Sequence, residues 1–238
     1  MKDERSQHSV TTKPVIGIIA WERGLPAFSK HVGDIMNPDT YEFPICVLRV
    51  EGANYKTIVE KPNRDVVKRM VEAAKVLERD GVAGLTTSCG FNAHMQKELA
   101  NAVNIPVFAS SLLLVPLAYR MLKKDQRVGI LTADASSLME AHFRAMGIDS
   151  GVPVCVQGLE NTKVFARVGR EPSFEAQKDD LDAEIQEAAK KLVAQGNVGA
   201  IVLECTNLPP FAEAIRRATN LPVFDILSLV NLAYAAVC

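Results

Sequence analysis

Two of the five cysteines stand at matching points of a repeated pattern. Residues 81–92 read Gly-Val-Ala-Gly-Leu-Thr-Thr-Ser-Cys-Gly-Phe-Asn, and residues 197–207 read Asn-Val-Gly-Ala-Ile-Val-Leu-Glu-Cys-Thr-Asn. In each, an apolar run stops at the cysteine and a helix pattern begins. Cys205 lies 116 positions after Cys89, and Pro222 of Asn-Leu-Pro-Val-Phe lies 116 after Pro106 of Asn-Ile-Pro-Val-Phe. Ile16-Gly17-Ile18-Ile19 and Val128-Gly129-Ile130-Leu131 agree at an offset of 112. The chain reads as one α/β unit used twice, with a thiol at the same place in each copy.

A thiol at a strand end that faces a helix N-terminus can do acid–base chemistry. Unpaired N–H groups of the first turn favour the thiolate, so both thiol pKa values are expected to fall. Two thiolates a few ångströms apart repel, which favours one thiolate facing one thiol. That pair is a base on one side of a carbon acid and an acid on the other. It can remove a proton and return it to the opposite face without a cofactor. The expected catalytic residues are therefore Cys89 and Cys205.

The turns after the cysteines supply the expected substrate contacts. The first offers Gly90, Phe91 and Asn92; in the second, Pro209 and Pro210 lack N–H groups, leaving Thr206, Asn207 and Leu208 as donors. Thr87 and Ser88 precede the first thiol, and Thr132 ends the strand equivalent to Val15–Ala20. Thr87, Ser88, Gly90, Phe91, Asn92, Thr132, Thr206 and Asn207 are thus the expected substrate-binding set. His94 reads as a surface residue, Asp134 as a helix cap, and Glu22 and Arg23 as a solvated loop. Cys46 and Cys155 read as packing within strands, and Cys238 as core or a loose terminus.

The elements that must hold these residues alternate strand and helix, which implies parallel sheets with right-handed crossovers. Strands are expected at 15–20, 45–50, 82–88 and 106–109, then at 127–132, 153–157, 198–204 and 222–225. Helices are expected from Asn63 to Gly81, after Cys89, near 111–123, near 136–146, at 174–195, at 208–219 and at the end. The expected fold is α/β, two pseudo-symmetric doubly wound lobes with parallel sheets. The first lobe is 14–115 and the second 116–225, and helix 226–238 can pack back on the first. The site is expected in the cleft between them, because ligands sit at the carboxyl ends of such strands. Long loops at 21–44 and 158–172 are candidates for a lid or binding segment.

The doubled unit, with Thr-Thr-Ser-Cys-Gly-Phe at 86–91 and Leu-Glu-Cys-Thr-Asn at 203–207, resembles the aspartate/glutamate/hydantoin racemase superfamily over nearly the whole chain. The resemblance implies cofactor-free chemistry at an acidic carbon, Cys89 and Cys205 as the catalytic pair, and a homodimer or higher homo-oligomer. Three positions depart from glutamate racemases: Cys-Gly-Phe replaces Cys-Asn-Thr at the first thiol, Asn207 replaces the histidine after Cys-Thr, and Trp21-Glu22 replaces Asp-Ser after the first strand. The expected activity is a racemase or epimerase acting on an amino acid, a similar small carboxylate or a hydantoin. A cis–trans isomerase or decarboxylase on the same site, and a non-catalytic sensor of small carboxylates, are the alternatives.

Bulk properties agree with a small-molecule partner. The net charge of −1 comes without a basic stripe, so neither nucleic acid nor an anionic membrane is an expected partner. The first 13 residues are polar and read as a frayed tail without the apolar core of a signal peptide, and no run reaches the length of a membrane span. A cytoplasmic protein with free thiols, no metal site and no cofactor is expected.

Overall fold

The computed structural model describes residues 13–171 and 173–237. The first half runs β1 (Ile16–Trp21), α1 (Pro26–Ser29), β2 (Ile45–Val50), α2 (Arg64–Arg79), β3 (Gly84–Thr87), α3 (Gln96–Ala102), β4 (Val107–Phe108) and α4 (Leu114–Arg120). The second runs β5 (Arg127–Thr132), α5 (Glu140–Ala145), β6 (Val154–Gly158), α6 (Phe165–Arg170), α7 (Lys178–Ala194), β7 (Val198–Leu203), α8 (Ala212–Thr219), β8 (Val223–Phe224) and α9 (Ile226–Val237). Each half forms a four-stranded, all-parallel sheet, ordered β2-β1-β3-β4 and β6-β5-β7-β8. The two orders are identical once the repeat is allowed for, so the α/β expectation of two like lobes holds.

The inner strands are buried on both faces, which is why they read as unbroken apolar runs. α2 illustrates the helices. Asn63 caps it by accepting from the Asp65 and Val66 N–H groups, Val66, Met70, Ala73, Ala74 and Leu77 face the core, and Gly81, at φ 86°, follows its end.

The lobes exchange their last helices. α4 lies against β5 and β7 of the second sheet, while α9 lies against the first. Ile226, Leu229 and Val230 of α9 share a core with Ile16, Ile18 and Phe108, and Val128, Ile130 and Val202 of the second sheet share one with Leu112 and Val115. An apolar helix pattern at 111–123 says that the helix is buried; it does not say which sheet buries it. The exchange locks the lobes together and brings the carboxyl ends of β3 and β7 face to face.

Several expected elements are shorter in the structure. The turns after Cys89, at Ser111 and after Leu208 are 3-10 turns that lead into α3, α4 and α8. Helix 136–146 begins only at Glu140, because the Asp134 carboxylate instead gathers Ser136 and Ser137 into a tight turn. Loop 158–172 contains α6, and residues 56–60 form a wide π-type turn. Among the described residues, no helix is long and apolar enough to cross a membrane. Residues 1–12 and Cys238, for which a frayed tail and a packed or loose terminus were expected, lie outside the described residues.

Candidate active site

Cys89 follows β3 and Cys205 follows β7. Each stands beside its lobe's central strand, where the strand order reverses, the usual ligand position in a doubly wound sheet. Both cysteines line one cavity of about 60 Å³ between the lobes, and only 7% of Cys89 and 9% of Cys205 is exposed. They are close enough to act on each other electrostatically.

The turns carrying them are bonded across the lobe boundary. Thr206 Oγ1 donates to the Ser88 carbonyl at 2.6 Å, and Ser111 Oγ, at the start of α4, donates to the Leu203 carbonyl at 2.6 Å. Ser88 Oγ in turn accepts from the Trp21 N–H at 3.1 Å, tying the end of β1 to the first thiol's turn.

The local electrostatics reverse one expectation. Backbone N–H groups do point at the sulfurs, from Phe91 and Asn92 to Cys89 and from Asn207 to Cys205, and they lower both pKa values. Burial outweighs them, with Glu204 next for each thiol, and Cys205 adds to the rise at Cys89 as Asp34 does at Cys205. Both thiols therefore stand above their ordinary value. Burial and the neighbouring carboxylates thus outweigh the local N–H donors.

Of the expected binding residues, Ser88, Gly90, Phe91, Thr206 and Asn207 line the cavity with the two thiols. Thr87, Asn92 and Thr132 stand behind its wall. Thr87 Oγ1 reaches the Cys89 and Ala109 carbonyls, and Thr132 Oγ1 donates to Glu204 Oε2 at 2.7 Å. The Asn92 side chain is buried without a hydrogen-bond partner. His94, expected at the surface, is partly buried, with Nδ1 on the Phe91 carbonyl at 2.8 Å and its ring edge-on to His142. Burial and His94 push His142 down to about 4, so it is neutral at physiological pH.

Sequence reasoning missed two carboxylates. Asp34 is fully buried and its Oδ2 accepts from Asn207 Nδ2 at 2.9 Å; Asn207 Oδ1 stands 4.0 Å from the Cys205 sulfur. An Asp34–Asn207–Cys205 chain thus runs through the position at which Asn207 replaces the histidine of glutamate racemases. Glu204 is fully buried, acts electrostatically on both thiols, and is pushed by burial up to a pKa of about 7. The only sequence signal for it was an acid at the end of an apolar run, directly before a cysteine.

Loop 21–44 forms much of the remaining wall. Leu25 and Phe28 reach across to pack against the second lobe's core. Trp21, Phe28, Tyr55, Phe91 and Phe165 give the cavity aromatic faces, and Arg23, Arg49 and Glu160 give it charge. Arg23 is thus a wall residue as well as an exposed one, whereas Glu22 accepts from the Gly52 N–H and faces only an outer vestibule of about 520 Å³. Among the described residues, no three His, Cys, Asp or Glu side chains gather so as to hold a metal ion.

A two-lobed parallel α/β fold with a cysteine from each lobe in one cleft defines a recognisable class of protein. The Asp/Glu/Hydantoin racemase profile matches residues 39–230, and the chain belongs to that family. Allantoin racemase from Klebsiella pneumoniae has a similar structure, with a TM-score of 0.65 and 16% identity over 94% of this chain and 88% of that one. In sequence the chain is similar to two curated proteins. One is the "Dimethylsulfoniopropionate lyase" of Durusdinium sp. clade D, 30% identical over 82% of this chain and 66% of that protein. The other is the "Dimethylsulfoniopropionate lyase 3" of Emiliania huxleyi (strain CCMP1516), 30% identical over 95% of this chain and 61% of that protein. The chain therefore spans less than two thirds of the length of these relatives.

Proposed function

We propose that this protein is a carbon-acid enzyme that works without a cofactor, with Cys89 and Cys205 on opposite sides of a small carboxylate substrate. The observation that carries this reading is the placement of one thiol from each lobe in a single buried cavity. The first step is removal of the proton α to the substrate carboxylate by a thiolate.

The fate of the carbanion sets the reaction, and β-elimination from a sulfonium-bearing carboxylate of the dimethylsulfoniopropionate type is the reading favoured here. A sulfur takes the α-proton, the C–H pair forms the new double bond, and the C–S bond breaks with its pair leaving on neutral dimethyl sulfide. The other product is acrylate, and one proton leaves the site to water. Likeness to lyases of that name over most of the chain supports it. So does the charge around the thiols. A dicarboxylate would add anions to a pocket lined by Glu204 and backed by Asp34 behind Asn207, whereas a sulfonium is attracted to them and to aromatic residues such as Trp21 and Tyr55. A cation beside a raised thiol also brings its pKa down, so the substrate helps form its own base. Arg23 and Arg49 are available to the carboxylate.

Racemisation is the second reading, and the second thiol favours it: elimination needs one base, while inversion needs an acid opposite that base. The two are separated by incubating the protein in heavy water with dimethylsulfoniopropionate and, in parallel, with single enantiomers of amino acids, hydantoins and allantoin. Acrylate and dimethyl sulfide from the first mixture support the lyase. Exchange of the α-proton with loss of optical rotation in the second supports the racemase. No product and no exchange in any mixture would overturn the carbon-acid reading.

A further inference from the structure

Glu204 is the least explained group in the site. It is fully buried, yet only one of its two carboxylate oxygens is bonded, Oε2 to Thr132 Oγ1 at 2.7 Å. Oε1 has no partner. It lies against the open side of Gly90, the residue after Cys89: a Cβ on Gly90 would come within 2.4 Å of Oε1 and 2.1 Å of the Glu204 carbonyl. An unpaired buried carboxylate is costly unless it binds a proton or is used. Here it is aimed at the turn of the opposite lobe's thiol.

We propose that Glu204 is the proton acceptor that turns the Cys89 thiol into a thiolate, acting on substrate through the sulfur and not by touching it. This rests on Cys89 serving as the base described above. The S–H bond breaks, its electron pair stays on sulfur, and an O–H bond forms at Glu204 Oε1. The thiolate then takes the substrate proton, and Glu204 returns its own proton to solvent when product leaves. The total charge of the pair is −1 throughout the transfer, so no second anion is created in the buried site. A carboxyl held near 7 is well matched to such an exchange at neutral pH. The titratable and charged groups around the pair are Cys205, adjacent in sequence, Asp34 beyond it, and Arg23, Arg49 and Glu160 on the shared cavity wall; Thr132 of β5 and Ser111 of the turn before α4 contact Glu204 as hydroxyls.

The test follows Cys89 itself, so that it reads out even without turnover. The whole protein is treated with iodoacetamide across a pH series, and labelling of the Cys89 peptide is measured by mass spectrometry. Wild type is expected to label in two steps, the lower with a midpoint near 7, where the pair loses its first proton. Glu204→Gln leaves a single step, while Glu204→Asp keeps two. Thr132→Val deletes a hydrogen bond that lowers the Glu204 pKa, so its lower step moves to higher pH; this serves if Glu204→Gln fails to fold. A lower step that persists in Glu204→Gln, or that ignores Thr132→Val, overturns the proposal. With a turnover assay in hand, Glu204→Gln lowers kcat by about 10²-fold at unchanged KM. A raised KM at unchanged kcat would instead mark a binding residue and also overturn it. If wild type turns over nothing yet shows the two-step labelling, the functional reading fails while the proton pair stands.

Discussion

The Thr206 hydroxyl donates to the Ser88 carbonyl at 2.6 Å, so the residue after one candidate catalytic cysteine is bonded to the residue before the other. This contact sets the spacing of the two turns, because each thiol is one peptide unit from one of its ends. Thr206→Val keeps the shape and removes the donor. It is expected to cost about 1–3 kcal/mol in urea unfolding, as a buried carbonyl loses a partner. It should lower turnover more than substrate affinity, since the thiols lose their register. Thr206→Ser should recover most of both.

Both thiols should contribute to turnover. Cys89→Ser and Cys205→Ser each replace a sulfur by an oxygen that is far harder to ionise, and each is expected to lower turnover by about 10²–10⁴-fold with unchanged circular dichroism. If the reaction is elimination, one of the two retains measurable activity, because only one base is obligatory; if it is racemisation, neither does. Alkylation should inactivate the wild type, and substrate should protect it.

Asp34 adds negative charge beside Cys205, so neutralising it is a sharp probe. Asp34→Asn can still bond Asn207, and its main effect is to remove one cause of the raised Cys205 pKa. Iodoacetamide labelling of the Cys205 peptide at fixed neutral pH should become faster than in wild type, the opposite of what loss of a general base would give. Slower labelling would mean that the Asp34–Asn207 chain activates the thiol.

The sheets were legible in the sequence because strands buried on both faces, such as Ile16–Trp21 and Val198–Leu203, cannot hide their apolar runs. The thiols were legible because the repeat places both at strand ends. Packing of helix 226–238 on the first lobe was among the expectations, but the placement of α4 on the second sheet was not, since its apolar pattern carries no mark of which sheet it covers. Nor was Asp34: a carboxylate among glycines and prolines reads as solvated, and only the folded loop shows that it is buried against Asn207. The direction of the thiol pKa shifts was misread for a related reason. The N–H donors are local in sequence, whereas the burial that outweighs them is a property of the assembled cleft, and Glu204, adjacent to Cys205, reaches Cys89 from the other lobe.

Gly90 is a packing requirement of the first turn. Gly90→Ala would place a carbon 2.1 Å from a backbone oxygen of Glu204, which cannot swing aside as a side chain could. It is expected to destabilise the protein by about 1–3 kcal/mol through overpacking and to part the two turns. Thermal unfolding and turnover should fall together. Retention of both would show that the lobes can separate here without harm.

The stability of the folded protein should itself report Glu204. Its pKa rises from an ordinary 4.5 to about 7 on folding, chiefly through burial. Between those values the folded state binds the proton that the unfolded chain has released, so this group's contribution to stability falls as pH rises through that window. A shift of this size corresponds to roughly 3 kcal/mol, fully lost above the folded pKa. Glu204→Gln carries no ionisable group there, so the difference in unfolding free energy between variant and wild type should grow in the variant's favour from pH ~4 to pH ~8. Urea titrations at those two pH values measure it directly. A difference that does not change with pH would mean that Glu204 is ionised at its ordinary pKa in the folded protein, and that its unpaired oxygen is reached by solvent.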